Sequence, residues 1–264
     1  MNLKASLVLG VSLLIAGCAA RTQKADQTAR PTVASALALN TTKLDLVDHA
    51  RNRVIPVVLY SADSQIVDNK VNKPAFKLAL LNHGYGGQNT AYSFIAQNLV
   101  AHGYVVASIQ HELPTDAPMA TTGNLFEIRK PVWERGVQNM LFVLQEMLRR
   151  QPKLHYDQLL IVGHSNGGDM AMLFAQEHPE LVQKIISLDN RRMPLPRTRK
   201  PLILTLRSSD QVADPGVLPS PAEQQTFGIQ VVNLRHTQHN DMWDGATAAQ
   251  QQEMNKIISS FLEN

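Results

Sequence analysis

In Gly163-His164-Ser165-Asn166-Gly167-Gly168 a serine sits between glycines, directly after the apolar residues 159–162 and before the helix-compatible residues 169–176. A GxSxG turn joining a strand to a helix lifts the serine hydroxyl clear of the sheet edge, where it can attack an electrophile. The hydroxyl becomes a competent nucleophile only when a histidine takes its proton and a carboxylate fixes that histidine's tautomer. Two histidines lie late in the chain, His236 at the end of a strand-like run and His239 in the following loop. His239 is the preferred candidate for the base, because a loop histidine can swing over the serine. Two aspartates compete as the acid. Asp210 follows the run 202–206 and is preferred on loop position, whereas Asp189 ends the run 185–188. Spacing leaves both open.

A tetrahedral intermediate also needs donors for its oxyanion. Asn82-His83-Gly84-Tyr85-Gly86-Gly87 follows the apolar run 76–81, and its small residues leave backbone N–H groups free to turn inward. The Tyr85 and Asn166 N–H groups are the expected donors, each worth about 3 kcal/mol in the transition state. The loop lacks the Lys-Ser or Lys-Thr of a phosphate-binding P-loop. No histidine spacing resembles a metal-ligand motif.

Positioning these loops requires a sheet. Residues 44–47 and 54–60 predict an opening antiparallel pair; 76–81, a helix over 92–101, and 105–109 then give a βαβ rhythm. Val137, Met140, Leu141, Leu144, Met147 and Leu148 recur at helical spacing, with Arg149, Arg150 and Pro152 at the end. Strands at 159–162, 185–188, 202–206 and 230–234 follow, and Met254, Ile257, Ile258, Phe261 and Leu262 mark a closing amphipathic helix. The expected fold is an open, mostly parallel α/β sheet with helices on both faces and no large lid domain. In such a sheet functional groups gather at the carboxyl ends of the strands.

At 264 residues with 44% hydrophobic and 18% charged, the chain suits one domain with a sizeable core. A net charge of only +3 excludes nothing but gives no argument for nucleic acid. Lys4 precedes an apolar run over 5–16, too short for a confident membrane span and suited to a secretory signal peptide. The run ends Leu14-Ile15-Ala16-Gly17-Cys18, which resembles a bacterial lipobox with Cys18, the only cysteine, as the lipidated residue. Lipid chains there would hold the protein on a membrane without a transmembrane helix. Ala19 after the cysteine implies, by that resemblance, an outer-membrane lipoprotein facing the periplasm. Residues 19–40 are expected to be a flexible tether, and 41–264 the catalytic domain, with a monomer expected.

Asn82 to Gly87, together with Tyr92 and Leu99-Val100-Ala101-His102-Gly103-Tyr104-Val105-Val106-Ala107, resembles the platelet-activating factor acetylhydrolases, chlorophyllases and bacterial cutinase-like polyester hydrolases. The elbow at Ser165 is similar in all three, and His239 falls where their histidine does. That resemblance implies an α/β-hydrolase fold, with serine, acid and histidine in that chain order, and ester hydrolysis through an acyl-enzyme without a metal or an organic cofactor. On the acid the families divide. Leu188-Asp189 with Met193-Pro194 resembles the acetylhydrolase acid, and Ser209-Asp210-Gln211-Val212-Ala213 the polyester hydrolase acid. The expected substrate is a small or short-acyl ester. Peptidases and thioesterases share the triad, and a lipoprotein binding module could keep the fold without the chemistry. Arg191, Arg192, Arg197, Arg199 and Lys200 crowd one loop near the site, and Phe126, Trp133, Met193 and Trp243 are candidates for an apolar acyl pocket.

Overall fold

A computed structural model describes residues 39–62, 76–151 and 154–264. The signal peptide, Cys18 and nearly all of the expected tether lie outside these residues. The domain begins with β1 (Leu39–Asp48), which pairs antiparallel with β2 (Arg53–Ala62) through a tight turn at His49–Asn52. Both strands run longer than the apolar runs 44–47 and 54–60, because backbone pairing carries the polar Asn40 to Lys43 segment along its partner.

The remaining strands are β3 (Phe76–Asn82), β4 (Tyr104–Ile109), β5 (Leu154–His164), β6 (Val182–Leu188), β7 (Leu202–Arg207) and β8 (Gln230–Asn233). They form one sheet in the order β1-β2-β4-β3-β5-β6-β7-β8, parallel from β4 to β8. Helices α1 (Ser93–Ala101), α2 (Leu125–Arg150), α3 (Asn166–Glu177), α4 (Pro221–Phe227) and α5 (Ala248–Glu263) occupy its faces.

The apolar runs explain why both faces are covered. Leu78 and Leu80 of β3 and Leu159 and Ile161 of β5 join one core with Trp133, Met140 and Met147 of α2 and Phe174 of α3. Their neighbours Ala79, Leu81, Leu160 and Val162 join the other, with Ile95 and Leu99 of α1 and Met254, Ile258 and Phe261 of α5. Successive strand side chains point to opposite faces, so a continuous apolar run needs a helix layer on each side. Each fully buried large side chain contributes about 1.5–3 kcal/mol.

Chain direction reverses at the middle of the sheet. From β3 the chain passes through α1 to β4 on one side, then returns through α2 to β5 on the other side of β3. The crevice at such a switch opens between the carboxyl ends of β3 and β5. Those ends carry the Gly84–Gly87 loop and the Ser165 turn.

Candidate active site

Ser165 follows β5 at φ 51° and ψ −115°, a backbone conformation that strains a non-glycine residue. Its neighbours make the turn tight enough to hold it. A Cβ on Gly163 would overlap the Gly167 carbonyl, and one on Gly167 would overlap the Asn82 carbonyl of β3. The Ser165 N–H donates to the Leu188 carbonyl at 2.8 Å, tying the turn to the end of β6.

The His239 ring meets this serine. Its Nε2 lies 2.9 Å from Ser165 Oγ, and its Nδ1 lies 2.6 Å from Asp189 Oδ2. Asp189 is fully buried at the end of β6, at φ 59°. Its Oδ2 also accepts from Ser208 Oγ at 2.6 Å, and its Oδ1 accepts from the Ser208 N–H at 3.1 Å and faces Arg207 Nη2 at 2.8 Å. Burial acts to raise the Asp189 pKa. The His239 hydrogen bond, the Arg207 charge and the Ser208 donors outweigh it and hold the carboxyl below its ordinary value. An ionised carboxylate at Nδ1 directs the proton to that nitrogen and leaves Nε2 as the acceptor toward Ser165.

Asp210, preferred from the sequence, stands elsewhere. It is exposed, and its Oδ1 accepts the His239 backbone N–H at 2.7 Å, so it holds the histidine loop and not the ring. The physical reason is strand order. β6 lies directly beside β5, whereas β7 is one strand further out, and the histidine loop reaches back across β7 to the end of β6. His236 is exposed, and among the described residues its carbonyl alone is engaged, by Gln250 Nε2 at 2.8 Å.

The Asn166 N–H, at the first residue of α3, and the Tyr85 N–H have no partner among the described residues. Both residues line the cleft at Ser165. Side chains beneath them fix the backbone. Asn166 Oδ1 accepts from the fully buried Trp133 indole at 2.8 Å, and Glu112 Oε2 accepts the Gly86 N–H at 2.7 Å. Tyr85 Oη accepts from the Met119 N–H at 3.2 Å, which keeps the phenol over the cleft wall.

Residue types alone gave no sign of a second layer of support. The Gly84 N–H donates to Tyr92 Oη at 3.1 Å, Tyr92 Oη lies 2.8 Å from His164 Nδ1, and His164 Nε2 lies 3.1 Å from the His239 carbonyl. A neutral His164 accepts the tyrosine proton at Nδ1 and donates Nε2–H to the carbonyl. Burial, then the nearby His239, brings its pKa down to about 3. The middle residue of the elbow thus joins the Gly84 loop to the histidine loop. The HxS spacing was visible in the sequence, but the Tyr92 and His239 partners lie 72 and 75 residues away.

The cleft at Ser165 measures about 260 Å³ and is lined by Met119, Arg129, Asp169, Arg191, Arg192 and Gln211 beside the residues already named. A second cleft of about 330 Å³ shares Gly84, Tyr85, His164 and Asn240 with it and extends to Ala91, Tyr92 and Trp243. Trp133 and Met193 belong instead to the core, and Phe126 packs edge-on against Trp133 at 5.6 Å. Of the four apolar candidates from the sequence, Trp243 lines a cleft. The arrangement can transfer a proton from Ser165 to His239 and hold negative charge on a substrate oxygen beside two N–H groups.

Comparison with known proteins agrees with this architecture. The profile of the chlorophyllase family matches residues 37–205, well over half of the chain. That span contains Ser165 and Asp189 and ends before His239. A ferulic acid esterase from Streptomyces cinnamoneus is similar with a TM-score of 0.63 at 16% identity, covering 87% of this chain and 90% of its own. An esterase from the fungus Rhizomucor miehei gives a TM-score of 0.60 at 12% identity, over 88% of this chain and 84% of its own. A dienelactone hydrolase-like promiscuous phosphotriesterase from metagenomic libraries gives 0.58 at 14% identity, over 86% and 98%. With the sheet order, the elbow after β5 and the family match in agreement, the chain belongs to the chlorophyllase family and is an ester hydrolase with the α/β-hydrolase fold.

Proposed function

We propose that the protein hydrolyses small carboxylic esters through an acyl-enzyme on Ser165, with His239 as base and Asp189 as the acid that positions it. The observation that carries the reading is the continuous contact from Asp189 Oδ2 to His239 Nδ1 at 2.6 Å and from His239 Nε2 to Ser165 Oγ at 2.9 Å. As Ser165 Oγ bonds to the ester carbonyl carbon, its proton passes to His239 Nε2. The carbonyl oxygen becomes an oxyanion, and the Asn166 and Tyr85 N–H groups donate to it. The carbon–alkoxy bond then breaks, and the leaving oxygen takes the proton from Nε2. Water attacks the acyl carbon, its proton goes to Nε2, and Ser165 Oγ departs with that proton, releasing the acid.

Clefts of about 260 and 330 Å³ meeting at the Gly84–Tyr85 loop support one modest group on each side of the scissile bond. The test is turnover of p-nitrophenyl acetate with acyl-enzyme detection by intact mass. The wild type is expected to turn over and to gain an acetyl group on rapid quenching, and Ser165→Ala to do neither. Equal turnover by Ser165→Ala would refute the assignment.

Residues 5–16 and the Gly17-Cys18 pair support one further proposal, that the mature chain is a lipid-anchored exported protein. Cys18→Ser is then expected to move it from the membrane to the soluble fraction on cell fractionation.

A further inference from the structure

We propose that the cleft beside Ser165 contains an anion subsite, in which Arg129, Arg191 and Arg192 bind a carboxylate or phosphate carried by the ester, so that the preferred substrates are anionic esters. The proposal rests on the reading of Ser165 as the nucleophile and names the substrate class of that site. Three arginines line the cleft against a single carboxylate, Asp169. That carboxylate is already engaged: Asp169 Oδ1 accepts the backbone N–H groups of Arg192 and Met193, each at 2.9 Å, and Asn190 Nδ2 at 3.4 Å. Its task is to pin the arginine loop against the elbow, and no Asp169 hydrogen bond to a guanidinium is formed among the described residues.

The guanidinium groups are left short of partners. Arg191 Nε and Arg192 Nε are buried N–H donors without an acceptor among the described residues. The Arg192 side chain is only 9% exposed, and its nearest carboxylate oxygen, Asp214 Oδ2, stands 3.8 Å from Nε, beyond hydrogen-bond reach. Arg129 uses Nε on the Ala120 carbonyl at 2.9 Å, and its terminal nitrogens have no hydrogen-bond partner among the described residues. Burial, then the like charge of Arg192 and, more weakly, that of Arg191, pushes the Arg129 pKa below its ordinary value although the Asp169 charge acts the other way, so Arg129 is repelled by its two cationic neighbours. A buried donor left without an acceptor costs stability, and like charges held together cost more. A planar, two-oxygen anion relieves both at once, since it matches the fork of a guanidinium. The second cleft, with Ala91, Tyr92 and Trp243, takes the uncharged part of the ester.

The test compares matched esters by acetate or methanol release: 5-acetoxypentanoate against pentyl acetate, monomethyl adipate against methyl hexanoate, and 4-acetoxybutyl phosphate for the phosphate source. The wild type is expected to favour at least one anionic member over its neutral match by about tenfold or more in kcat/KM. That ratio is expected to fall about tenfold in Arg191→Gln or Arg192→Gln, mainly through KM, and to shrink as salt rises. Preference for the carboxylates or for the phosphate identifies the natural group. A ratio near one in the wild type, or one that survives the triple Arg129→Gln, Arg191→Gln, Arg192→Gln variant in folded form, overturns the subsite.

Calorimetry on Ser165→Ala keeps the two readings separate. Binding of an anionic ester over its neutral match, lost in the arginine variants, supports the subsite even if the wild type fails to react with a fluorophosphonate and the nucleophile assignment falls. Equal binding of matched pairs, or none, in folded Ser165→Ala overturns the subsite whether or not the wild type is labelled.

Discussion

His239 touches two aspartates through different atoms, and that difference decides what each can do. Asp189 meets the ring nitrogen from a fully buried position, whereas Asp210 accepts the backbone N–H from an exposed one. Replacing Asp189 by Asn removes the charge that fixes the tautomer, and kcat is expected to fall by about 10⁴. Asp210→Asn is expected to cost less than about tenfold, since an amide oxygen can still accept the His239 N–H. Steady-state kinetics on an activated ester separates the two, and equal losses would contradict the assignment. Chain order could not make this distinction, because both aspartates follow strands in a serine–acid–histidine sequence. His164 carries a prediction of its own. Its folded-state pKa of about 3 lies below the ordinary 6.5, so the unfolded chain binds a proton that the folded one refuses. Its contribution to stability is complete above pH 6.5 and is lost progressively as pH falls toward 3. The urea midpoint is therefore expected to drop less steeply from pH 7 to 4 in His164→Gln than in the wild type.

At the scale of elements, the elbow is strained because two elements close on it. The Ser165 backbone at φ 51° and ψ −115° costs about 1–3 kcal/mol. Glycine accepts that conformation, so Ser165→Gly is expected to be inactive yet more stable than Ser165→Ala, by about 1 kcal/mol in chemical denaturation. The apolar runs made β3 to β7 legible, since a strand covered on both faces must be apolar throughout, whereas β8 at the sheet edge is only half-buried, at Val231 and Val232. Helix α4 was missed although its signal was present. Ser220-Pro221-Ala222-Glu223 is a capping box with proline at the first turn, and Ser220 Oγ accepts the Glu223 N–H at 3.3 Å. The helical spacing seen from Val137 extends back to Leu125, through Pro131. Trp133 within that extension has its indole on Asn166, which explains why it is core and not pocket.

For the whole molecule, strand order supplies what no local pattern contains. The reversal between β4 and β5 sets the Gly84 loop beside the Ser165 turn, and the β5–β6 pairing brings Asp189 within reach of the histidine loop. The pairing of Ser165 with His239, the proposed nucleophile and base, was legible from a turn motif and a late loop. The choice between Asp189 and Asp210 and the places of Tyr92, Glu112 and Arg129 depend on contacts between residues far apart in the chain, which residue types do not encode, whereas Arg191 and Arg192 were expected near the site. The proposed chemistry requires Ser165 Oγ to be the atom that reacts. Treating the folded protein with a fluorophosphonate and mapping the adduct by peptide mass spectrometry tests this directly. A single adduct is expected on the peptide containing Ser165, formed much more slowly in His239→Ala. An unlabelled wild type, or an adduct on another residue that persists in Ser165→Ala, would contradict it.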